Sequence, residues 1–528
     1  MLKATINIDD LVRTPRIHSG GIQVEGSDIT PFPNPCLRTV FVQGKDRWIY
    51  AVLERGAQKL DDRLPTVHDA RSFEDYASIH RTILSWPLDY VLIEAVSNGE
   101  NAQLRITSGR LGVAPLYATV GVGRVLLSWD CADLISRGSH SADFEVLAHA
   151  LGLRTFYASR QVCTGIALLT ERSSLSLDAN SASFAYPSAA PALSPHALRD
   201  GVDALGTFES YLEGAIGARP LDASACIAEL SGGMDSASVA IAAARVLGGL
   251  KQSAGIVLAG TDHTIQNTRR RLIAREIGLR DASFDMSTHM PSLDLDPSAR
   301  EPEHPLGEFY LEAFDEIWRH AATLGCHTLL TGIGGDELFP RYQTDKAAGD
   351  WKRPARLIAA ERIARSILSR RAQVALDTEP LYCAPASVVP HTGLLAHASR
   401  SPYMLRRGLW PVNPLCDPAL IGFCHRLPGE FRLDRQLLRQ YLRTRLEHDL
   451  FPIGYKKETF DYVLPEVIGC HYARLSAQLR ESALADFGLV DMTAVRKVLS
   501  GVADTRDVTA TAPLAIFLFL ERFMRQIA

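Results

Sequence analysis

The pattern of hydrophobic and polar positions divides the chain into two parts. In the first part, short runs such as 38–43 and 124–128 alternate apolar and polar residues, and glycines and polar turns separate them. A period of two residues is typical of half-buried strands. The first part is therefore predicted to be rich in β-strands.

The second part follows a stretch rich in Ala, Ser and Pro at 181–195, which we interpret as a linker. Strands and helices are then predicted to alternate, which indicates an α/β fold with a parallel sheet. The predicted elements are a helix from about His196 to Ile216, a strand at 225–230, a helix at 237–250, a strand at 253–259, a helix at 267–278 and a strand at 326–330. The remainder is predicted to be mainly helical and to end in a buried helix that contains 513–520. Two domains are expected, 1–190 and 200–528.

Composition places the chain among globular proteins. Its 528 residues are 46% hydrophobic and 22% charged, with a net charge of -4, and no long Lys/Arg run is present. This balance argues against nucleic acid as the main partner. The short basic cluster Arg269, Arg270 and Arg271 is interpreted as a solvated helix face.

Cysteine usage and hydropathy bear on the compartment. The nine cysteines are scattered without CxxC spacing, which argues against a disulfide framework or a structural zinc site. The longest apolar stretch, 513–520, is far shorter than the roughly 20 residues of a membrane-spanning helix, and the N-terminal residues lack the apolar segment of a signal peptide. A cytoplasmic protein without a membrane partner is expected.

The most informative motif is Ser231-Gly-Gly-Met-Asp-Ser236, which lies between a predicted strand and a predicted helix. Glycines allow backbone N–H groups to approach an anion, and the helix N-terminus adds partial positive charge, so the loop suits a polyphosphate. Asp235 would repel phosphates unless a Mg²⁺ ion bridged the two. A tight turn with an N-cap and no ligand is the alternative.

A second acidic motif, 330–339, repeats the order of strand, glycine turn and acid. Parallel strands that end side by side would bring Asp235 and Asp336 to one edge of the sheet, where α/β folds bind ligands. The two carboxylates are predicted to hold one Mg²⁺ ion. The alternative is that Asp336 and Glu337 only start a surface helix.

These motifs carry a family resemblance. The SGGxDS loop resembles the pyrophosphate loop of the ATP pyrophosphatase superfamily, and TGxGxDELF after it resembles asparagine synthetase, β-lactam synthetase and the lasso peptide cyclases. PLCD at 414–417, LP at 427–428, LLR at 437–439 and KETF at 457–460 resemble later marks of this family. The resemblance implies an ATP pyrophosphatase-type parallel sheet followed by a helical portion.

The resemblance also implies site residues. Lys457 corresponds to the family's catalytic lysine, with Lys456 as the second choice, and Asp235 and Asp336 would act in catalysis as metal ligands. The ATP-binding residues implied are Leu230, Ser231, Gly232, Gly233, Asp235, Ser236, Leu258 and Gly332. ATP and Mg²⁺ are the expected cofactors.

The first part of the chain resembles the family's glutaminase domain through 107–117 and 125–128, which implies an Ntn-hydrolase-like αββα fold. Glutamine-using members have a cysteine nucleophile at the mature N-terminus, whereas this chain begins Met1-Leu2-Lys3. The internal Cys36 is expected to be a packed residue. We therefore expect a degenerate domain that releases no ammonia from glutamine.

Ile333 is a second departure. The resemblance places Glu here in asparagine synthetases and Tyr in β-lactam synthetase, and isoleucine can act as neither acid nor base. Glu303, His304 and Glu308 are weak candidates for a general base.

The sequence thus favours an ATP-dependent ligase that adenylates a carboxylate and closes a lactam on an amine of the same substrate, with a lasso-type macrolactam synthetase preferred. The expected partner is a small-molecule or peptide substrate; for a lasso-type enzyme it would be a precursor peptide, accompanied by a leader peptidase. A β-lactam synthetase, an ammonia-dependent asparagine synthetase and a non-catalytic scaffold are the alternatives.

Overall fold

The computed structural model describes residues 1–138, 140–258, 263–299, 304–342, 345, 353–455 and 457–527. These residues form a mixed α/β structure with three sheets. Two sheets lie in the first part of the chain and the third lies in the second part. None of the helices in the described ranges is both long and apolar enough to cross a membrane.

Fourteen of the described strands precede residue 186 and form two seven-stranded sheets. They are β1 (Leu2–Asn7), β2 (Arg16–His18), β3 (Gly21–Val24), β4 (Ser27–Pro31), β5 (Leu37–Gln43), β6 (Arg47–Glu54), β7 (Val67–Asp69), β8 (Tyr90–Ser97), β9 (Ala102–Ser108), β10 (Tyr117–Gly121), β11 (Arg124–Ser128), β12 (Ile166–Leu168), β13 (Ser174–Leu177) and β14 (Ala182–Ala185). The helices of this part are α1 (Gln58–Asp61), α2 (Phe73–Leu84), α3 (Cys131–Ile135) and α4 (Phe144–Leu151). The sheet orders are β12-β10-β11-β1-β4-β3-β2 and β14-β13-β9-β8-β6-β5-β7.

The side chains of β6 alternate between two hydrophobic clusters, which shows what packs on each face of the second sheet. Trp48 and Tyr50 belong to the core cluster that also contains the buried residues of β1, whereas Ile49 and Ala51 belong to a second cluster with Ile83 of α2. Successive side chains of a strand point to opposite faces. The second sheet is therefore buried on both faces, between α2 and the first sheet, and α3 contacts β10 and β11 of the first sheet.

The third sheet is parallel throughout and has the order β17-β16-β15-β18-β19. Its strands are β15 (Cys226–Glu229), β16 (Gln252–Val257), β17 (Arg280–Asp285), β18 (Thr328–Leu330) and β19 (Trp410–Val412). The helices of this part are α5 (Ala204–Gly217), α6 (Met234–Leu247), α7 (His263–Glu276), α8 (Leu311–Thr323), α9 (Ala355–Ile367), α10 (Arg370–Leu376), α11 (His391–Arg406), α12 (Pro418–Arg426), α13 (Gly429–Arg432), α14 (Gln436–Arg445), α15 (Val463–Gln478), α16 (Ala483–Asp486), α17 (Met492–Thr505) and α18 (Thr511–Ile527).

The α/β class and the buried C-terminal helix are confirmed, and several element bounds differ from the prediction. The stretch interpreted as linker contains β14, which pairs with β13 and extends the second sheet. The helix expected from about His196 begins only at Ala204, because Asp203 caps it there by accepting a hydrogen bond from the Gly206 N–H.

Buried polar contacts join the two parts of the chain. The Glu54 carboxylate accepts hydrogen bonds from Arg219 Nε at 2.6 Å and from Trp410 Nε1 at 2.9 Å. The Asn34 amide donates to the carbonyls of His327 and Gly408, both at 3.0 Å. These contacts fix the third sheet against the first two.

Candidate active site

The candidate site lies where β15 and β18 end. These strands are parallel neighbours, with Cys226 opposite Thr328 and Ala228 opposite Leu330. The glycine loop after β15 and the acidic turn after β18 therefore meet at one edge of the sheet, as the sequence predicted. Residues 333–337 form turns, so the alternative of a surface helix at Asp336 is wrong.

Two glycines of the acidic turn allow this close approach. A Cβ atom at Gly332 would lie 2.8 Å from the Ser236 nitrogen, and one at Gly335 would lie 2.3 Å from Asp235 Cγ. A side chain at Gly332 would displace the backbone of the first turn of α6, and one at Gly335 would displace the Asp235 side chain. The glycines thus bring the turn that carries Asp336 against the start of α6.

Four charged groups converge at this point. Arg435 Nη1 donates to both oxygens of Asp235, at 2.9 and 3.0 Å, and Arg435 Nη2 donates to Asp336. Lys457 Nζ lies 3.0 and 2.8 Å from the two oxygens of Asp336. The structure therefore brings together all three predicted catalytic residues and adds an arginine.

The two carboxylates have different environments. Burial raises the pKa of Asp235, although the Arg435 guanidinium opposes the shift. Partial desolvation also acts to raise the pKa of Asp336, but Lys457 and Arg435 outweigh it and the pKa is lowered. The Asp336 side chain is 60% exposed and that of Lys457 is 55% exposed, so solvent screens their ion pair.

The glycine loop presents hydrogen-bond donors. The Ser231 and Ser236 hydroxyls lie 3.0 Å apart, and the Gly233 N–H donates to Ser231 Oγ at 3.3 Å. Gly233 is the N-cap of α6, a helix of 14 residues, so the first N–H groups of α6 lack partners within the helix. Hydroxyls and helix N-terminus together form a cradle suited to an anion.

The interpretation of Arg269 and Arg270 as part of a solvated face is wrong. Arg269 donates to the Gly232 carbonyl at 3.1 Å and to Glu458 at 3.0 Å, and its guanidinium lies 4.6 Å from the Tyr455 ring centroid. Arg270 is fully buried and pairs with Asp281 of β17. Arg269 therefore links the glycine loop to the segment around Lys457, and Arg270 links α7 to the sheet. Of the three arginines, Arg271 alone is exposed.

Most of the predicted site residues line one cavity of about 240 Å³. Its lining includes Ser231, Gly233, Asp235, Ser236, Leu258, Gly332, Asp336 and Lys457. Leu230 is buried instead, with its N–H bonded to Ala254 O at 2.8 Å, and Gly232 contributes its carbonyl to Arg269 rather than to the cavity lining. Lys456 lies outside the described residues.

A buried ionic cluster forms another wall of this cavity. Arg400 of α11 donates to Glu229 at 2.9 Å and lies 3.6 Å from Glu308. Burial raises the pKa of Glu308 against the opposing charge of Arg400. Glu308 is thus next to the cavity, whereas His304 lines a different one and Glu303 lies outside the described residues.

Cys36 is a packed residue, as expected. It is 8% exposed, its Sγ lies 3.1 Å from Thr328 Oγ1, and burial raises its pKa to about 11. A nucleophilic cysteine requires a thiolate, which this environment disfavours at neutral pH.

Sequence reasoning missed the arginines of the site. Arg435 and Arg400 form ion pairs with acids that are far away in sequence, and neither arginine belongs to a sequence motif that would predict a role in the site. For Arg269, the apolar positions of α7 gave a signal, because Arg269 and Arg270 flank Ile273 on the buried side of that helix.

Comparison with known proteins adds no assignment. No protein-family model matches the chain, and a search of curated proteins also finds no match.

Proposed function

We propose that the chain is an ATP-dependent, AMP-forming amide ligase that closes a lactam within a peptide substrate. The observation that carries the proposal is the meeting of Asp235, Asp336 and Lys457 at the ends of two adjacent parallel strands. The two sheets of the first part, with α2 packed on one and α3 in contact with the other, support the resemblance to a glutaminase domain, and the parallel sheet supports that to an ATP pyrophosphatase domain.

The residues fit ATP and Mg²⁺. Hydroxyl and N–H donors of the glycine loop suit phosphate oxygens, and two carboxylates that flank an anion cradle suit a cation that takes its other ligands from phosphates. Asp235 and Asp336 would hold the ion, which would neutralise charge on the departing pyrophosphate. Between them, Arg435 and Lys457 contact the oxygens of both carboxylates, so a bound cation would require these ion pairs to rearrange.

In the proposed reaction, a carboxylate oxygen of the substrate attacks the α-phosphorus of ATP and pyrophosphate leaves. An amine of the same peptide then attacks the acyl carbon, so that a C–N bond forms, the C–O bond to the phosphate breaks, AMP leaves and the amine proton passes to water. Lys457 would stabilise the negative charge that develops on the acyl oxygen and the phosphate. Intramolecular delivery raises the effective concentration of the amine, which makes Ile333 tolerable where a synthetase for a free amine would need a polar group.

The test uses the full chain with ATP, Mg²⁺ and any short peptide that a gene next to its own encodes. We expect AMP, pyrophosphate and a product that weighs one water less than the peptide. Asp336→Ala should reduce turnover by about 100-fold or more, because charge stabilisation is lost, whereas Asp449→Ala at an exposed ion pair should not. Formation of ADP, or a product that gains nitrogen from added ammonium, would overturn the lactam proposal.

A further inference from the structure

A second and larger cavity, of about 450 Å³, lies between the two parts of the chain. Its volume falls in the range of small-molecule and peptide side-chain pockets, which is about 300–1,000 Å³. The wall is largely apolar and aromatic, with contributions from Phe156, Tyr157, Phe309, Tyr382 and Phe519. α4, α11 and α18 supply much of the remainder.

His304 is a buried polar group in this apolar wall. It is 5% exposed, and its Nδ1 accepts a hydrogen bond from the Leu306 N–H at 3.1 Å. Burial lowers its pKa to about 4, so the imidazole is neutral at pH 7 and carries its proton on Nε2. This Nε2–H group has no hydrogen-bond partner among the described residues.

An unsatisfied buried donor is costly, by about 1–3 kcal/mol, and such groups in a folded protein call for an explanation. A ligand with a hydrogen-bond acceptor would satisfy His304. The aromatic wall around it would bind the apolar body of the same ligand.

The large cavity shares a wall with the candidate active site. Ser399 of α11 lines the large cavity, and the next residue, Arg400, lines the active-site cavity. Gly307 and Phe309 likewise line the large cavity, while Glu308 between them lies 3.6 Å from Arg400. The two cavities therefore lie next to each other, on either side of this wall.

We propose that the large cavity binds a bulky apolar side chain of the peptide substrate, and that His304 Nε2–H donates to a carbonyl oxygen of the same peptide. This inference rests on the proposed function and names the class of substrate: a peptide with an aromatic or large aliphatic residue close to its reacting groups. Arg154 and Arg160 also line the cavity, but Arg154 lies over the Phe156 ring and Arg160 pairs with Asp143 and Glu145, so a small acidic substrate such as aspartate would leave most of the wall without a partner.

The probe is N-acetyl-4-fluorophenylalanine methylamide, whose binding to the full chain is followed by fluorine NMR in the absence of ATP. We expect binding to the wild type and no competition from N-acetylaspartate methylamide. His304→Phe should weaken binding by up to about tenfold, the value of one hydrogen bond. His304→Gln, which keeps an N–H donor near the Nε2 position, should restore most of it.

A second set of variants tests the same inference by filling the cavity. Ala396→Trp on α11 and Ala515→Trp on α18 both place a ring in the cavity and should abolish probe binding. Ala473→Trp, the same change at an exposed site on α15, is the matched control. The inference is overturned if both filled variants bind the probe as tightly as Ala473→Trp does. It is also overturned if N-acetylaspartate methylamide displaces the fluorinated probe from the wild type.

The stabilisation of each variant by ATP and Mg²⁺ against heat separates this inference from the proposed function. A filled variant that keeps this stabilisation is folded, so its loss of probe binding supports the inference. ATP turnover without any probe binding overturns the inference alone. Probe binding that needs His304, in a chain that does not bind ATP, supports the cavity and overturns the ligase.

Discussion

Arg435 and Asp235 are 200 residues apart in sequence and form an ion pair in which one guanidinium nitrogen lies 2.9 and 3.0 Å from the two carboxylate oxygens. Arg435 has φ of +56° and follows Asp434 at +50°, two consecutive non-glycine residues in the left-handed region. Such conformations are unfavourable for L-residues and tend to occur at functional sites. Here they direct the guanidinium at both Asp235 and Asp336.

We predict that Arg435→Lys lowers AMP formation by about 10- to 100-fold. A lysine keeps the charge but cannot reach both carboxylates as a planar guanidinium does, and charged hydrogen bonds contribute about 1.5–3 kcal/mol. Steady-state release of pyrophosphate is the measurement. Arg443→Lys, at an exposed ion pair with Asp449, is the matched control. Full activity of the Arg435 variant would show that this arginine has no part in the reaction.

The raised pKa of Asp235 predicts a stability change with a defined pH dependence. A carboxyl group whose pKa is raised on folding binds protons more tightly in the native state, so native stability falls as the pH rises from the ordinary value of 3.8 through the folded-state pKa. Asp235→Asn removes the ionised form. Its Tm should therefore exceed that of the wild type at pH 7, and the difference should shrink as the pH falls toward 4.

Thermal unfolding at several pH values tests this expectation. Asp449→Asn, at an exposed position, should change Tm little at any of them. A lower Tm for Asp235→Asn than for the wild type at pH 7 would mean that the Arg435 ion pair outweighs the cost of burying the charge.

The central strands and the acids of the site could be predicted from the sequence because both depend on local pattern. β15 and β18 are short apolar runs that precede glycine turns, and in neighbouring parallel strands this pattern places Asp235 and Asp336 together. Strands β17 and β19 were not predicted, and the reason again lies in their local sequence. β17 is polar and lies at a sheet edge, and β19 has three residues, of which one is Pro411.

The remaining site residues could not be predicted because their roles depend on contacts made in the folded chain. Arg435 acquires its role from backbone geometry and from acids about 100 and 200 residues away. The apolar positions of α7 place Arg269 on the buried side of its helix, but its partners, Glu458 and the Gly232 carbonyl, are brought to it only by the fold. Long charged side chains carry no sequence signal for such partners.

The buried Glu54 carboxylate should be essential to stability. It is 1% exposed and accepts hydrogen bonds from both Arg219 and Trp410. Glu54→Ala leaves the Arg219 charge buried without its partner, and loss of one member of a buried ion pair costs about 3–5 kcal/mol. Urea unfolding measures the change. Glu213→Ala, at a partly exposed pair with Arg245, should cost roughly 1 kcal/mol or less, and an equal effect of the two substitutions would refute the expectation.

Glutamine is not expected to serve as a nitrogen source through Cys36. With a pKa of about 11, this thiol is almost entirely protonated at pH 7. We expect no enzyme-dependent glutamate release from glutamine, and Cys36→Ala should leave ATP turnover with the peptide intact if it folds. Sustained glutamate release that disappears in Cys36→Ala would contradict this prediction.

Lys457 should act on the chemical steps more than on ATP binding. Its ammonium group is half exposed and contacts Asp336 alone among the described acids, so Lys457→Ala removes little that holds the fold together. It does remove the positive charge available to the developing oxyanion, for which a loss of about 100- to 1,000-fold in kcat is typical. ATP and Mg²⁺ should still raise the Tm of this variant, because binding to the native state alone stabilises it.

Lys457→Arg separates charge from shape and should recover only part of the rate, since a planar guanidinium cannot occupy the place of a compact ammonium. The measurement pairs mass spectrometry of the cyclised peptide with thermal shift at matched ATP concentrations. Unchanged amide formation in Lys457→Ala would remove this lysine from the mechanism, and loss of the ATP-dependent shift would assign it to nucleotide binding.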